Sequence, residues 1–113
     1  MSFEPIKVNA DQPAIEDDRI PAFIITKNGQ DTTYTIPRVI SGATALRALE
    51  VYVTQGDGAT TMFLAQHALG REGYEAVTDS PHLTMKQAAR LLGQIGQQYI
   101  GQVKELGKAQ ADD

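Results

Sequence analysis

The chain has 113 residues, a mass of 12.2 kDa, a formal net charge of −4 and no cysteine. This length suits one domain with one hydrophobic core. The lack of Cys excludes disulfide scaffolds and thiolate metal sites, and no apolar run approaches the roughly 20 residues that a membrane-spanning helix needs. The first residues lack the basic-then-apolar order of a signal peptide, so nothing marks the chain for export.

The charge is distributed unevenly. Residues 1–20 carry five acidic and two basic side chains, whereas residues 21–107 carry seven of each. The pI is near 5.0, and no cluster of Lys and Arg is present. Because phosphate neutralisation supplies most of the affinity for nucleic acids, this balance argues against nucleic-acid binding. We expect protein partners, and neither nucleic acid nor membrane.

Residues 1–20 contain two prolines and several acids but show no sustained periodicity. Such a stretch buries too little apolar surface to offset the entropy lost on ordering. The sequence therefore predicts a flexible acidic N-terminal arm over residues 1–20, a single domain over residues 21–107 and a flexible tail over residues 108–113.

Two β-rich runs, AFIITK and QDTTYTI, flank the dipeptide Asn28-Gly29, which tolerates positive φ at both turn positions. This pattern predicts a β-hairpin bounded by Pro21 and Pro37. A lone hairpin is marginal in water, so one of its faces should pack on the helices that follow. That face comprises Phe23, Ile25, Tyr34 and Ile36.

Helical signals fill the rest of the chain. Ser41 can cap a helix whose apolar stripe ends at Val53, and Gly56 offers a left-handed stop. A second short helix should end at Gly70, with one further turn near Tyr74. The predicted fold is therefore α+β, mostly α, with an N-terminal β-hairpin followed by a small bundle of three to four helices.

The last helix has the clearest start, because Thr84 followed by Gln87 forms a capping-box pattern. It should run to about Leu106. Three glycines interrupt it, at positions 93, 96 and 101, and together they weaken it by on the order of 3 kcal/mol relative to alanine. Either another backbone approaches closely there, or the helix becomes firm only on a partner.

No pattern indicates an enzyme. His67 and His82 lie near three acidic residues, but their spacing matches no known metal site. Asp79, Ser80 and His82 have the residue types of a hydrolase triad, yet three near-consecutive loop residues seldom converge, and no nucleophile-elbow glycines surround the serine. We predict no catalytic residue, no cofactor and no metal.

Several features follow one another in a recognisable order. They are a hairpin ending in Tyr34-Thr35-Ile36-Pro37, a helix from Ala43 to Val53, a stop at Gly56, a segment from Phe63 to Gly70 with Tyr74 beyond it, a cap at Leu83-Thr84 and a Gln-rich last helix. Over about residues 20–110 this order resembles the small tail assembly chaperones of long-tailed bacteriophages, particularly phages of actinobacteria.

The resemblance implies a non-enzymatic, virus-encoded protein that binds the tape measure protein while the tail tube protein polymerises around it. It would act in the host cytoplasm and be absent from the mature virion. Family members often also exist in a longer form made by a ribosomal frameshift, and Gly107-Lys108 could be encoded by a slippery sequence. Self-association stays open.

By this analogy, the partner-binding surface lies on the last helix. It comprises Met85, Leu92, Gly93, Ile95, Gly96, Tyr99, Val103 and Leu106. The alternative is that this face packs against helix 43–53 and the hairpin as core, since one apolar stripe usually means core.

Two other functions compete with the chaperone. A structural virion protein, such as a tail or head-to-tail connector subunit, would share these properties but stay in the particle. A helix-turn-helix regulator would use residues 84–96 as its recognition helix, but Lys86, Arg90 and Lys104 are too few for the usual phosphate contacts.

Overall fold

The computed structural model describes residues 4–111. In this range an antiparallel hairpin precedes three helices, so the fold is α+β and mostly α, as predicted. A 3-10 turn, Ile15–Asp17, comes before the hairpin. The elements are β1 (Arg19–Lys27), β2 (Gln30–Pro37), α1 (Gly42–Gln55), α2 (Asp57–Thr78) and α3 (Met85–Ala111).

The hairpin turns where the sequence predicts. Asn28 and Gly29 have φ values of 55° and 73°, the pair of positive angles that a type I′ turn requires. The register shifts between Pro21 and Phe23, so the pairing skips one residue of β1. Beyond this bulge Phe23 stacks on Tyr34, with ring centroids 4.8 Å apart. Stacked aromatic side chains thus support the middle of the two-stranded sheet.

Helices α1 and α2 meet at Gly56, whose φ of 88° suits glycine. The Ser41 side chain caps α1 by accepting a hydrogen bond from the Thr44 amide at 3.2 Å. The predicted short helix and its extra turn form one helix, α2, with a kink at Gly70 (φ 72°, ψ 175°). Arg19 donates to the Ala68 carbonyl oxygen at 2.9 Å, just before this kink. The guanidinium therefore binds the carbonyl at the point where helical geometry is interrupted.

The capping box of α3 is confirmed. The Gln87 amide donates to Thr84 Oγ1 at 3.1 Å, and the Thr84 amide donates to Gln87 Oε1 at 3.0 Å. The helix continues to Ala111 and so includes residues 108–111, which the sequence analysis assigned to a tail. The last two residues of that predicted tail lie outside the described range.

The core lies between the helices and the end of the hairpin. Four of its side chains come from α3 at intervals of four residues: Leu91, Ile95, Tyr99 and Val103. The Tyr99 hydroxyl donates to the Pro37 carbonyl, and burial raises the pKa of Tyr99 to about 12 against the opposing charge of Arg19. The remaining core members are Ile36, Ile40, Ala45, Ala48, Leu64, Ala65, Ala68 and Leu69.

Glu16 fixes the chain before the hairpin to the helices. Its Oε2 accepts hydrogen bonds from the Ser41 amide at 2.8 Å and from Thr44 Oγ1 at 2.7 Å. Its Oε1 lies 2.7 Å from His67 Nε2. Burial acts to raise the pKa of Glu16, but these hydrogen bonds outweigh it and lower the pKa to about 2. Residues 15–20, which the sequence analysis placed in the arm, thus contact the folded domain, whereas residues 4–14 are exposed.

The glycines of α3 do not mark a close backbone approach. A Cβ atom at Gly93 or Gly101 would have no neighbouring atom within 4 Å. At Gly96 a Cβ would meet only the side chain of Thr61, 3.6 Å away, which is an ordinary contact. Of the two alternatives for these glycines, a close backbone approach is not found at Gly93 or Gly96 within the part of the chain that the structure describes.

We expect Gly93→Ala to raise the free energy of unfolding by roughly 0.8–1 kcal/mol, since alanine restricts the unfolded chain and meets no neighbour in α3. Gly107→Ala is the matched control, because its Cβ would lie 3.2 Å from Leu49 Cδ1 and should stabilise less or not at all. Urea denaturation measures both. Equal effects at the two positions would contradict this description of α3.

We expect Glu16→Gln to lower stability at pH 7 by about 1–3 kcal/mol, because it removes charge-assisted hydrogen bonds. The pKa of Glu16 falls from its ordinary 4.5 to about 2 on folding, so its contribution is complete above pH 4.5 and is lost as the pH falls towards 2. Wild type should therefore lose more stability over this interval than Glu16→Gln.

The control for this experiment is Glu75→Gln, which breaks an exposed ion pair with Arg71. Exposed pairs contribute little, so this change should cost less than about 1 kcal/mol at pH 7. Urea denaturation between pH 7 and pH 2.5 gives both values. Identical pH dependence for wild type and Glu16→Gln would contradict the role given to Glu16.

Candidate functional site

The predicted partner-binding residues do not form one surface. Ile95, Tyr99 and Val103 are fully buried, so these three belong to the core and offer no area to a partner. The alternative weighed in the sequence analysis, a core stripe, therefore describes them. A Tyr99→Asp substitution would place a carboxylate in the core and report on folding alone.

The other predicted residues lie in different surroundings. Leu92 and Leu106 are half-buried against the core, and Gly96 lies beside Thr61. Gly93 is exposed, and Met85 is 90% exposed at the start of α3. Only Met85 among the apolar members presents a largely open side chain.

A groove separates β1 from the N-terminal half of α3. Two cavities of about 430 and 320 Å³ share Ala22, Leu91 and Gln94, and so form one continuous depression. Every residue of β1 from Ile20 to Thr26 lines one cavity or the other. Successive side chains of a strand point to opposite faces, so the larger cavity, which is lined by every residue from Ala22 to Thr26 and by none of β2, follows the open edge of the strand. The smaller cavity continues towards the base of the hairpin, where it also contacts Ile36 of β2. We name this depression the edge groove.

The larger cavity of the edge groove is mainly apolar, whereas the smaller one, beside Gln97 and Gln98, is mainly polar. Phe23, Val77 and Leu83 line the larger cavity together with Leu91, which is only 7% exposed. Ile24 lies along it and is 60% exposed. The polar lining from α3 includes Gln87, Gln94 and Arg90, and Arg90 is the only Lys, Arg, Asp or Glu side chain that lines either cavity.

The backbone along this edge is available for pairing. Within residues 4–111, no backbone hydrogen bond joins residues 20–27 of β1 to any element other than β2. A strand with a neighbour on one side only presents unpaired N–H and C=O groups on the other side. The edge groove can thus bind an extended segment through its backbone and apolar side chains at the same time.

The sequence analysis did not locate this groove, although one signal for it was present. The run Ala22-Phe23-Ile24-Ile25 is apolar at consecutive positions, so both faces of β1 carry apolar side chains. A hairpin exposed on one face would alternate apolar and polar residues instead. The sequence analysis assigned neither Ile24 nor Arg90 to the partner-binding surface, and both line the edge groove.

A second cluster contains Thr44, His67 and Glu16, which have the residue types of a nucleophile, a base and an acid, in that order. Thr44 Oγ1 and Glu16 Oε1 lie 3.0 and 2.7 Å from the same ring nitrogen, His67 Nε2. A catalytic relay needs the nucleophile and the acid on different ring nitrogens. The Thr44 hydroxyl also donates directly to Glu16. This geometry suits fixation of the Glu16 segment and does not suit nucleophile activation.

The sequence analysis considered two histidines, His67 and His82, as metal ligands. The structure places them in different surroundings. His67 binds Glu16, and His82 lines the edge groove. In the described part of the chain no three His, Asp or Glu side chains gather as a metal site would require. None of the helices described here is long and apolar enough to span a bilayer.

Comparisons of the chain with protein-family models, with curated proteins and with solved structures found no match. The geometry of the edge groove is therefore the basis on which we identify it as the candidate functional site.

Proposed function

We propose that this protein is a tail assembly chaperone of a long-tailed bacteriophage. It is a non-enzymatic factor that binds the tape measure protein in the host cytoplasm and keeps it from aggregating while the tail tube protein polymerises around it. The sequence resemblance over about residues 20–110 supports this proposal. The single structural observation that carries it is the edge groove, whose larger cavity is open and mainly apolar, on a small acidic chain.

The edge groove suits a segment with apolar side chains at regular intervals. Each apolar side chain that becomes buried contributes about 1.5–3 kcal/mol, so two or three of them contribute roughly 3–9 kcal/mol before the costs of association. A complex with a micromolar Kd corresponds to about 8 kcal/mol. After the costs of association, side-chain burial alone gives at most weak binding, so backbone pairing along β1 must also contribute. A complex of this kind can release its partner, which a factor absent from the mature virion requires.

The proposed longer form is compatible with this fold. Up to residue 109, where burial is described, the last fully buried side chain of α3 is Val103, and Gly107 follows one helical turn later, against Leu49. A product that diverges after residue 107 would retain every core residue. Both forms would then have the same folded domain and the same edge groove.

Expression from the native DNA with its downstream region should yield a minor longer product that shares residues 1 to about 107. Mass spectrometry of peptides that continue past Gly107 in another reading frame detects it. Where every peptide from this region ends at Asp113, the frameshifted form is refuted for this protein, although the edge groove is unaffected.

We expect Ile24→Asp to lower the amount of tape measure protein kept in solution on co-expression, and to raise the Kd at least about tenfold. The carboxylate would lie in the edge groove without disturbing the core, since Ile24 is 60% exposed. The measurements are the supernatant fraction of tape measure protein and the Kd for a tape measure fragment.

The matched control is Val53→Asp, which places the same charge on α1 at a side chain that is 73% exposed and does not line the groove. Both variants should keep their stability within about 0.5 kcal/mol, and circular dichroism verifies this. Equal loss of function in the two variants would contradict binding in the edge groove. Many copies of the protein in purified virions would refute the chaperone and favour a structural tail or connector subunit.

A further inference from the structure

Residues 4–9 precede the Glu16 cluster and lie on the surface. Ile6 is 84% exposed and Val8 is 83% exposed. Along the described chain, the first hydrogen bond involves Asn9, whose Oδ1 accepts from the Asp11 amide at 3.0 Å. Residues 4–8 thus carry two exposed β-branched side chains and make no hydrogen bond with another residue of the described range 4–111. We refer to residues 4–9 as the N-terminal segment.

We infer that the N-terminal segment of one copy binds in the edge groove of a second copy, as an added strand beside β1. Each partner supplies what the other lacks. The edge of β1 has unpaired backbone groups beside an apolar depression, and the segment has an unpaired backbone beside exposed apolar side chains.

The length and the side-chain pattern of the N-terminal segment fit the edge groove. Six residues of an extended strand span about 20 Å, and the seven residues of β1 that line the groove span about 23 Å. Ile6 and Val8 are two residues apart, so both point to the same face of a strand, and both favour strand conformation. Lys7 and Asn9 would point to the opposite face.

The charges of the N-terminal segment are compatible with those of the edge groove. Arg90 is the only formally charged side chain along the edge groove. The N-terminal segment carries Glu4 and Lys7, so its formal net charge is zero. Glu4 lies on the same face of an extended segment as Ile6 and Val8 and can pair with Arg90, whereas Lys7 points to the opposite face.

The position of the Glu16 cluster favours a second copy over the same chain. Glu16 is held by Ser41, Thr44 and His67, and none of these residues lines the edge groove. The 3-10 turn Ile15–Asp17 contacts β2, the strand on the other side of β1 from its open edge. The turn that anchors the segment is therefore held at β2 and α1, and its hydrogen-bond partners lie outside the larger cavity beside β1. Exchange between two copies fills both grooves and closes a twofold dimer.

The inferred exchange uses the same groove as the proposed function but does not require the tape measure protein. A tape measure segment that binds there would displace the N-terminal segment of the second copy. Self-association and partner binding would then compete for the groove. Because self-association needs only this protein, its failure can be distinguished from a failure to bind the tape measure protein.

The absence of Cys allows a direct test by cross-linking. The full chain carrying Val8→Cys and Ile24→Cys should form an interchain disulfide under mild oxidation, at least about tenfold faster than a control carrying Val8→Cys and Val53→Cys. Val53 is exposed like Ile24 but lies on α1. A second pair, Ile6→Cys with Ile24→Cys, tests the register two residues away.

Non-reducing gels separate the interchain from the intrachain product, and peptide mass spectrometry identifies the linked positions. An 8–24 or 6–24 disulfide in the dimer band supports the exchange. The same disulfide confined to the monomer band overturns it in favour of the chain's own segment, and rates equal to the control overturn strand addition altogether.

Sedimentation equilibrium provides an independent measurement. Wild type should form dimers, and Val8→Asp should raise the dimer Kd at least about tenfold, since it places a charge on the apolar face of the added strand. Asn9→Asp adds the same charge to the opposite face and should change the Kd less than about twofold. A wild type that stays monomeric at high micromolar concentration overturns the inference, whatever the co-expression experiment shows.

Discussion

The folded state depends on the packing of α3 against the link between β2 and α1. The Tyr99 hydroxyl and the Gln98 amide donate to the carbonyl groups of Pro37 and Arg38, and Gln102 Oε1 accepts from the Ile40 amide at 3.3 Å. A buried polar group left without its partner costs about 1–3 kcal/mol, so these bonds constrain both the link and the helix. They hold α3 close to the base of the hairpin at residues 98–102. Nearer its N-terminus the helix is separated from β1, and the edge groove lies in the resulting space.

Two charged side chains bind backbone groups where regular structure is interrupted or begins. Arg19 donates to the carbonyl of Ala68 beside the kink at Gly70, and it also donates to the Thr35 carbonyl at 2.7 Å. Glu16 accepts from the Ser41 amide next to the first turn of α1, where a negative charge is favourable. Both residues precede the predicted domain start at Pro21. They join the sheet to α2 and the preceding turn to α1, so the folded unit begins before the hairpin.

The open edge of β1 connects the two proposals. Proteins usually protect edge strands with charged side chains, proline or a covering element. Pro21 lies at one end of this edge, but Phe23, Ile24 and Ile25 follow without a charge among them. Such an edge binds another segment or aggregates. A partner segment and the N-terminal segment of a second copy satisfy the same backbone and apolar groups, and for that reason they would compete.

The sequence by itself determined the elements whose signals are local. Asn28-Gly29 produces the hairpin turn because both residues tolerate positive φ, and Thr84 with Gln87 begins α3 because each side chain binds the other's amide. Gly70 marks a real interruption, but α2 continues beyond it, since the Ala68 carbonyl finds a partner in a residue 49 positions away.

Only the tertiary structure decided which apolar residues are core and which are available to a partner. The stripe through Ile95, Tyr99 and Val103 has the spacing of either a core or a binding face, and periodicity does not distinguish them, because both need apolar side chains on one side of a helix. The approach of Glu16 to His67, 51 positions away, and the groove between β1 and α3 likewise join distant parts of the chain. No local signal encodes such contacts, since they arise only when separate elements pack together.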